Sequence, residues 1–567
     1  SRTGPPLARW LVTLVLIPFF VLVGCDDNGG GGTTQGEPTA EFTSTVNGLT
    51  VEFDASGSTD PDGGEIQSYE WEFGDGDVGS GATTTHKYQQ VSDVTVTLEV
   101  VDDENSVAEV SQTVSLGTRD RVSVLESNNS IQDPQLAGIS RTADGSLDPR
   151  PAAGLPSPEA KADFENTSAD STDGGYPGVD LGPIENASFV GAFDPNGSLW
   201  TDGWTKLSKD GYTVGGGPPP SSAPASEVVV TSDIRSNTTW TADQTYILDG
   251  LIFVNPDVTL TIDPGTVIKG RPPEEISNSD GASALIVRRA GKLIADGEED
   301  NPIIFTSTLD DLSDPADLVE TDRGLWGGVI LLGRAPISEP SAVQIEGIPD
   351  TENALFGGDD PADNSGTLRY LSIRHGGFSI SGVSGDEINA LTMGGIGSGT
   401  TIEYIESFAN LDDGFEFFGG TVHTQYLVSA FNADDAFDWD TGFRGTGQFW
   451  FTIQGDDTAG RAGELDGFDL TTDANAGEFS DPVITNVTWI GSGSASTATT
   501  DAAFRMRNGG AGEFYNSIFT SFPAQAIRID ADDSSNERWQ TGDITIRNNV
   551  FSDFGAGNTF ADIVSNE

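Results

Sequence analysis

The sequence predicts an all-β protein: a small immunoglobulin-like sandwich followed by a long parallel β-helix, a solenoid of stacked coils. Three observations predict it. From about Glu227 onward, short β-rich runs recur between Gly, Asn and Asp, and no helix-period run of useful length intervenes. A repeat is visible in that region: "DDGFEFFGG" at 412–420 returns 22 residues later as "DDAFDWDTG" at 434–442, and Tyr404 returns as Tyr426. Residues 38–116 instead alternate with period two, punctuated by turn chemistry in "STDPDGG" and "GDGD".

The first 25 residues read as a secretion signal. Arg2 and Arg9 precede an apolar run from Trp10 to Val23. The run is shorter than the roughly 20 residues a membrane-spanning helix needs. It ends in Leu22-Val23-Gly24-Cys25, and Cys25 is the only cysteine, which excludes a disulfide within the chain. Those four residues resemble the lipobox of bacterial lipoproteins at every position. The resemblance implies that Cys25 takes a diacylglyceryl group and becomes the first mature residue. It places the chain on the bacterial outer membrane, facing the exterior. Each buried CH₂ contributes about 0.8 kcal/mol, so two or more acyl chains give lasting attachment. Residues 26–37, "DDNGGGGTTQGE", form a soluble Gly-rich tether, reaching on the order of 20 Å.

Charge narrows the function classes. Asp and Glu number 89 against 27 Lys and Arg, a formal net charge of −62. Such a surface repels phosphate backbones and excludes nucleic acid as a partner. It fits a salt-adapted (halophilic) source, where a short Debye length screens self-repulsion and carboxylates keep the surface hydrated.

In residues 38–116, Leu49, Val51 and Phe53 share one face of a strand. So do Tyr69, Trp71 and Phe73, and later Val94, Val96, Leu98 and Val100. "FDASGSTDPDGGEIQSYEWEFGDGDVGSG", then "THKY" and "VTVTLEVVDD", resemble a PKD domain, with "WEFGDG" the most specific element. The resemblance implies an extracellular spacer or a protein- or glycan-contacting module without catalysis. His86 in "THKY" reads as a packed strand residue. Residues 117–225 are rich in Pro, Gly, Ser and Asp and read as a linker, except for the aromatic segment "ASFVGAFDPNGSLWTDGWTKL".

The domain from 226 to 567 is the solenoid. Aligned on the repeat, one position reads Phe415, Phe437, Phe468, Phe504, Ile527. Two places on it reads Phe417, Trp439, Leu470, Met506, Ile529. Alternation puts both sets in the interior. Asn486, Asn516 and Asn548 form a second ladder, expected to hydrogen-bond from coil to coil at the corners. "TWTADQTYILDG", "TIDPGTVIKG", "NPIIFTS" and "RGLWGGVILLG" resemble a family of secreted or lipid-anchored bacterial right-handed β-helix proteins whose members mostly have no assigned chemistry. In that family a segment like 187–207 follows the last coil as a closing flap. Here it precedes the coils. Three arrangements stay open: a lost upstream coil block, a missing downstream end, or a flap that caps the start of the next block.

The outward position between the interior ones reads Glu416, Asp438, Asp469, Arg505, Arg528. Asp412 and Asp413, Asp434 and Asp435, and Asp466 stand just before the strands. In-register stacking sets like charges about 5 Å apart, worth roughly 1 kcal/mol of repulsion each at water-like dielectric. Three offsets are open. Salt can screen the row; Arg444, Arg505 or Arg528 can pair with the row's ends and serve a ligand; or calcium can bridge Asp412, Asp413, Glu416, Asp434, Asp435, Asp438, Asp466 and Asp469 through hard oxygen ligands. No other cofactor is implied. "NADDAFD" resembles the paired aspartates of β-helix glycosidases, yet their Gly-His-Gly and Arg-Ile-Lys style motifs are missing. His375 and His423 read as coil-face or turn residues, and "GGIGSG" at 394–399 reads as a turn. The residues therefore name no catalytic set and favour binding over catalysis. The expected function is adhesion or glycan or protein binding at the cell surface, assisted by calcium. The alternatives are a polysaccharide lyase or glycoside hydrolase on the acidic flank, and a passive surface spacer.

Overall fold

The computed structural model describes residues 36–565, apart from 89–92, 154, 156–183, 217–223, 225, 279, 349–352, 380–387, 468–478, 499 and 531–533. The signal segment and Cys25 lie outside the described residues. Among the described residues no helix is long and apolar enough to cross a membrane.

The N-terminal region forms two sheets. One holds Thr43–Asn47, Thr50–Asp54 and Thr83–Lys87; the other holds Val78–Ser80, Ile66–Glu72, Asp93–Asp102 and Val107–Ser115. The alternation read from sequence places Trp71 opposite Leu98, and both are buried with Val96 and Val100. The Trp71 indole N–H donates to the Gly81 carbonyl at 2.9 Å, which satisfies the polar edge of a buried ring.

The second unit is a parallel β-helix. Nine strands, one per coil, form a sheet: Leu251–Val254, Ala284–Val287, Val329–Leu332, Leu391–Gly394, Phe415–Phe418, Phe437–Asp440, Gly463–Asp466, Ala502–Arg507 and Gln525–Ile529. Phe415 pairs with Phe437 and Glu416 with Asp438. The Phe415 and Phe437 rings stack at 5.5 Å and 10°. Two further strand columns wind into a sheet of 19 strands. Interior rings from different columns then meet, as Trp450 does on Phe437 at 4.5 Å.

One alignment changes. The coil after Phe437–Asp440 is occupied by Gly463–Asp466, with Gly463 opposite Phe437 and Glu464 opposite Asp438. Phe468, Asp469 and Leu470, expected at that rung, lie outside the described residues. Gly463 leaves an interior slot that Trp489 fills: a Cβ there would stand 3.1 Å from its ring, and Trp489 stacks on Phe437 at 5.7 Å.

The tyrosine repeat and the asparagine ladder prove to be one corner column. Tyr370, Tyr404, Tyr426, Phe449, Asn486, Asn516 and Asn548 all have φ between 49° and 59°. They are the residues at which the strands turn from one face to the next. Asparagine serves there because it tolerates the left-handed conformation; of the expected coil-to-coil bonds, Asn486 makes one, accepting from Gln448 Nε2 of the preceding coil at 3.4 Å. Asn486 Nδ2 donates to the Phe189 carbonyl at 2.8 Å, and Asn516 Oδ1 is buried without a partner. Another cross-coil amide bond is made one residue later, where Asn549 Oδ1 accepts from Ser517 N at 2.8 Å. The aromatic half of the column offsets its backbone strain by stacking: Tyr370 on Tyr404 at 4.5 Å, Tyr404 on Tyr426 at 4.3 Å, Tyr426 on Phe449 at 4.9 Å. Replacing Asn516 with glycine should leave stability nearly unchanged, whereas alanine should cost about 1–2 kcal/mol. Urea denaturation of the three chains checks this.

The stretch read as linker and flap is, where described, a strap bound to the solenoid. Helix Arg121–Asn128, N-capped by Asp120, covers the end of the stack with Leu125 in the solenoid's core. Ser130–Ile131 then pairs in parallel with Val550–Phe554. Further on, Phe193, Trp204 and Tyr212 are buried against Phe408, Phe431 and Phe451 of the middle coils. Trp200 and Trp204 meet the tyrosine column edge-on. The buried Glu406 carboxylate accepts the backbone N–H groups of Lys206 at 2.7 Å and Leu207 at 2.9 Å. The aromatic segment thus lies along the flank of the middle coils and caps neither end.

Candidate metal centre

The outward column of the nine-stranded sheet changes character along the stack. It runs Phe253, Ile286, Ile330, Thr392, Glu416, Asp438, Glu464, Arg505, Arg528. The apolar end is covered: Phe253, Ile286 and Ile330 pack with Ile337, Ile345 and Phe356. The acidic middle is enclosed as well, with Asp413 at 7%, Glu416 at 6% and Asp435 at 2% exposure.

Two places before the strands, Asn389, Asp413 and Asp435 form their own ladder. Each side chain accepts the backbone N–H of the next coil: Asn389 Oδ1 from Asp413 at 3.2 Å, Asp413 Oδ1 from Asp435 at 2.8 Å, and Asp435 Oδ1 from Arg461. Asn389 also donates to Glu416. The remaining carboxylate oxygens converge. One oxygen each from Asp413, Glu416 and Asp438 lie within 4.8 Å of one another, and the same holds for Asp412, Asp413 and Asp434, and for Asp435, Asp438 and Glu464. Hard divalent cations bind oxygens at about 2.3–2.6 Å, so two ligand oxygens on one ion stand at most about 5 Å apart. Asp438 Oδ1 is buried without a hydrogen-bond partner, as an oxygen facing a cation would be. The donor set therefore fits calcium.

Burial, then neighbouring carboxylates, pushes Asp413, Glu416, Asp435 and Asp438 well above the usual carboxylate range. For Asp435 the Arg461 guanidinium opposes the shift. Burial also pushes Asp466 up, to about 7, against the pull of Arg507.

The arginines differ from expectation. Arg505 and Arg528 do not close the acidic row. Arg505 holds Asp530 at 2.5 Å, and Arg528 holds Asp501 at 3.0 Å and Asp530 at 3.1 Å. Arg444 donates to the Phe479 carbonyl at 2.9 Å and lies over the Phe479 ring. The row is closed by Arg461, 2.8 Å from Glu464 and 3.8 Å from Asp435, and by Arg507, 2.8 Å from Glu464 and 2.7 Å from Asp466. Asp466 sits within its strand, not before it, because the rung starts at Gly463. Asp412 is partly covered and Asp434 exposed; Asp469 lies outside the described residues. Glu464, Arg461 and Asn389 are the residues that the 22-residue repeat missed. Asn389 was findable, since it stands two before Leu391 as Asp413 stands two before Phe415.

His375 is enclosed, its Nδ1 2.6 Å from the Asp322 carbonyl. Burial first, then the Lys206 charge, lowers its pKa to about 3, so it is neutral at ordinary pH and unsuited to proton transfer there.

A stack of parallel coils with an enclosed acidic column, preceded by an immunoglobulin-like pair of sheets, defines a modular β-helix protein. The chain belongs to the family of pectate-lyase-like β-helix domains, whose model matches residues 232–565. Residues 35–116 match the PKD domain. Among curated proteins the chain is similar to collagenase ColA of Clostridium perfringens, 34% identical over 101 residues, or 17% of this chain and 9% of that protein. It is also similar to collagenase ColQ1 of Bacillus cereus, 34% identical over 115 residues, 19% of this chain and 12% of that one. The chain thus spans only about a tenth of the length of these relatives. Among solved structures it is similar to the PKD1 domain of the Vibrio cholerae metalloprotease PrtV, 36% identical over 14% of this chain and 99% of that one, with a TM-score of 0.14.

Proposed function

We propose that the chain is a cell-surface binding protein, held to the bacterial outer membrane through lipid on Cys25. Its β-helix flank engages a glycan or a surface protein and is braced by calcium. The observation that carries the reading is the enclosed acidic column. Asp413 and Asp435 each commit one oxygen to the backbone of the next coil, so they set the stacking while the other oxygen is left for a ligand. What neutralises them then governs the side-chain spacing along the whole flank. Calcium suits the convergent oxygens of Asp413, Glu416 and Asp438.

A second reading, a polysaccharide lyase or glycoside hydrolase, is favoured by the Arg461 guanidinium beside Asp435 and Glu464. The two readings part on product. The full chain on a glycan array, with calcium and with chelator, should give hits that weaken in chelator and release no product. New reducing ends or unsaturated products, lost in Asp435→Ala and Asp438→Ala, would establish the enzyme instead. Silence in both assays would leave a passive spacer.

A further inference from the structure

We propose that Arg288 and Arg289 form a separate anion subsite, one that takes the carboxylate or sulfate group of an acidic saccharide. The proposal rests on the glycan-binding reading above.

The two arginines follow the strand Ala284–Val287 and line a cavity of about 120 Å³ with Pro256, Asn353 and Leu355. Their turn is held firmly. Arg288 N donates to the Val254 carbonyl at 3.1 Å, Gly291 N donates to the Arg288 carbonyl at 2.7 Å, and Ala290 takes a φ of 68°. The guanidinium groups are aimed as well: Arg288 Nη1 donates to Asn255 Oδ1 at 3.2 Å, and Arg289 Nη1 to the Gly357 carbonyl at 3.1 Å. A guanidinium has five N–H donors, so each retains several for a ligand.

This pair puts two adjacent guanidinium groups on one cavity. Along the same coils Arg271, Arg323, Arg334, Arg369, Arg461, Arg505, Arg507 and Arg528 all pair with carboxylates. Among the described residues neither Arg288 nor Arg289 does. Among the described residues Arg374 and Arg547 likewise have no carboxylate partner, but Arg288 and Arg289 stand next to each other on one cavity, in a chain with 89 acidic and 27 basic residues. Guanidinium forks match planar carboxylate and sulfate oxygens. The Pro256 and Leu355 walls supply the apolar contact that one face of a sugar ring makes. The site lies on the second strand of the nine, away from the acidic column that begins on the fifth.

Saturation-transfer NMR on the full chain at constant ionic strength tests this, with glucuronate and glucose as probes. Glucuronate should receive saturation, glucose should not, and sulfate should displace glucuronate. The double variant Arg288→Ala, Arg289→Ala should weaken glucuronate binding at least tenfold with an unchanged melting curve. An equal response to glucose, a glucuronate signal that survives in the double variant, or no displacement by sulfate would overturn the subsite. Binding of neutral glycans on the array without glucuronate binding would sink the subsite alone. Glucuronate binding without any array hit would leave the subsite and remove the broader reading.

Discussion

Replacing Asp438 with asparagine should raise the melting temperature of the full chain in chelator at pH 8, and should remove most of its response to calcium. Asp438 stands between Glu416 and Glu464 in the outward column. Its Oδ1 is buried without a donor. An uncompensated buried charge is costly, and a neutral group of the same shape removes that cost. The pH dependence has a definite sign. Asp413, Glu416, Asp435 and Asp438 are pushed above their ordinary range, so the folded state holds protons that the unfolded state has released. Their contribution to stability is fully present below about pH 4, the ordinary carboxylate range, and is lost as pH rises through the folded pKa values. For Asp466 that window closes at about 7. The metal-free chain should therefore melt at progressively lower temperature as pH rises from 4 to 8. Calcium, which binds the ionised form, should restore it. Calorimetry with calcium and with chelator checks both. A lower melting temperature for Asp438→Asn in chelator would show that the charge is already compensated, and would remove the metal centre from consideration.

The double substitution Arg119→Ala, Arg121→Ala should destabilise the solenoid by about 3–5 kcal/mol and promote self-association. Arg121 Nη1 donates to the Ile529 carbonyl at 2.7 Å and the Ser565 carbonyl at 2.8 Å. Arg119 Nη1 donates to the Trp539 carbonyl at 3.0 Å and the Ile544 carbonyl at 2.8 Å, and its guanidinium lies 4.1 Å over the Trp539 ring. Charge-assisted bonds of this kind contribute about 1.5–3 kcal/mol each when the partners are otherwise buried. They also seat the helix over the last coil. An uncovered coil end presents unpaired backbone and recruits other strands. Light scattering and urea denaturation would register the change. A monomeric variant of unchanged stability would show that the end is sealed by other contacts.

The coil stack was legible because a solenoid writes its period into the chain. Each coil repeats one environment, so Phe415 and Phe437, or Glu416 and Asp438, recur at one spacing. Where an insertion broke that spacing, the reading slipped. "GELDGFDL" offers two overlapping alternations, and the interior glycine of Gly463–Asp466 made the true rung the less apolar of the two. The slip hid Glu464 and Arg461 and assigned the closing role to Arg505 and Arg528. The corner asparagines were visible as a ladder, yet their purpose was not, since a left-handed φ leaves no mark on composition.

By itself the sequence determined the all-β class, the PKD sandwich, the solenoid and the interior rows. All of these follow from alternation and repetition, which are local and one-dimensional. Only the tertiary structure decided that the described parts of 117–216 form a strap whose first helix covers the far end of the stack, that Arg461 and Arg507 close the acidic column, and that Arg288 and Arg289 stand side by side on one cavity with no carboxylate partner among the described residues. Those outcomes depend on which distant segments meet and which charges find each other. Such meetings carry no period, so a linear reading could not place them.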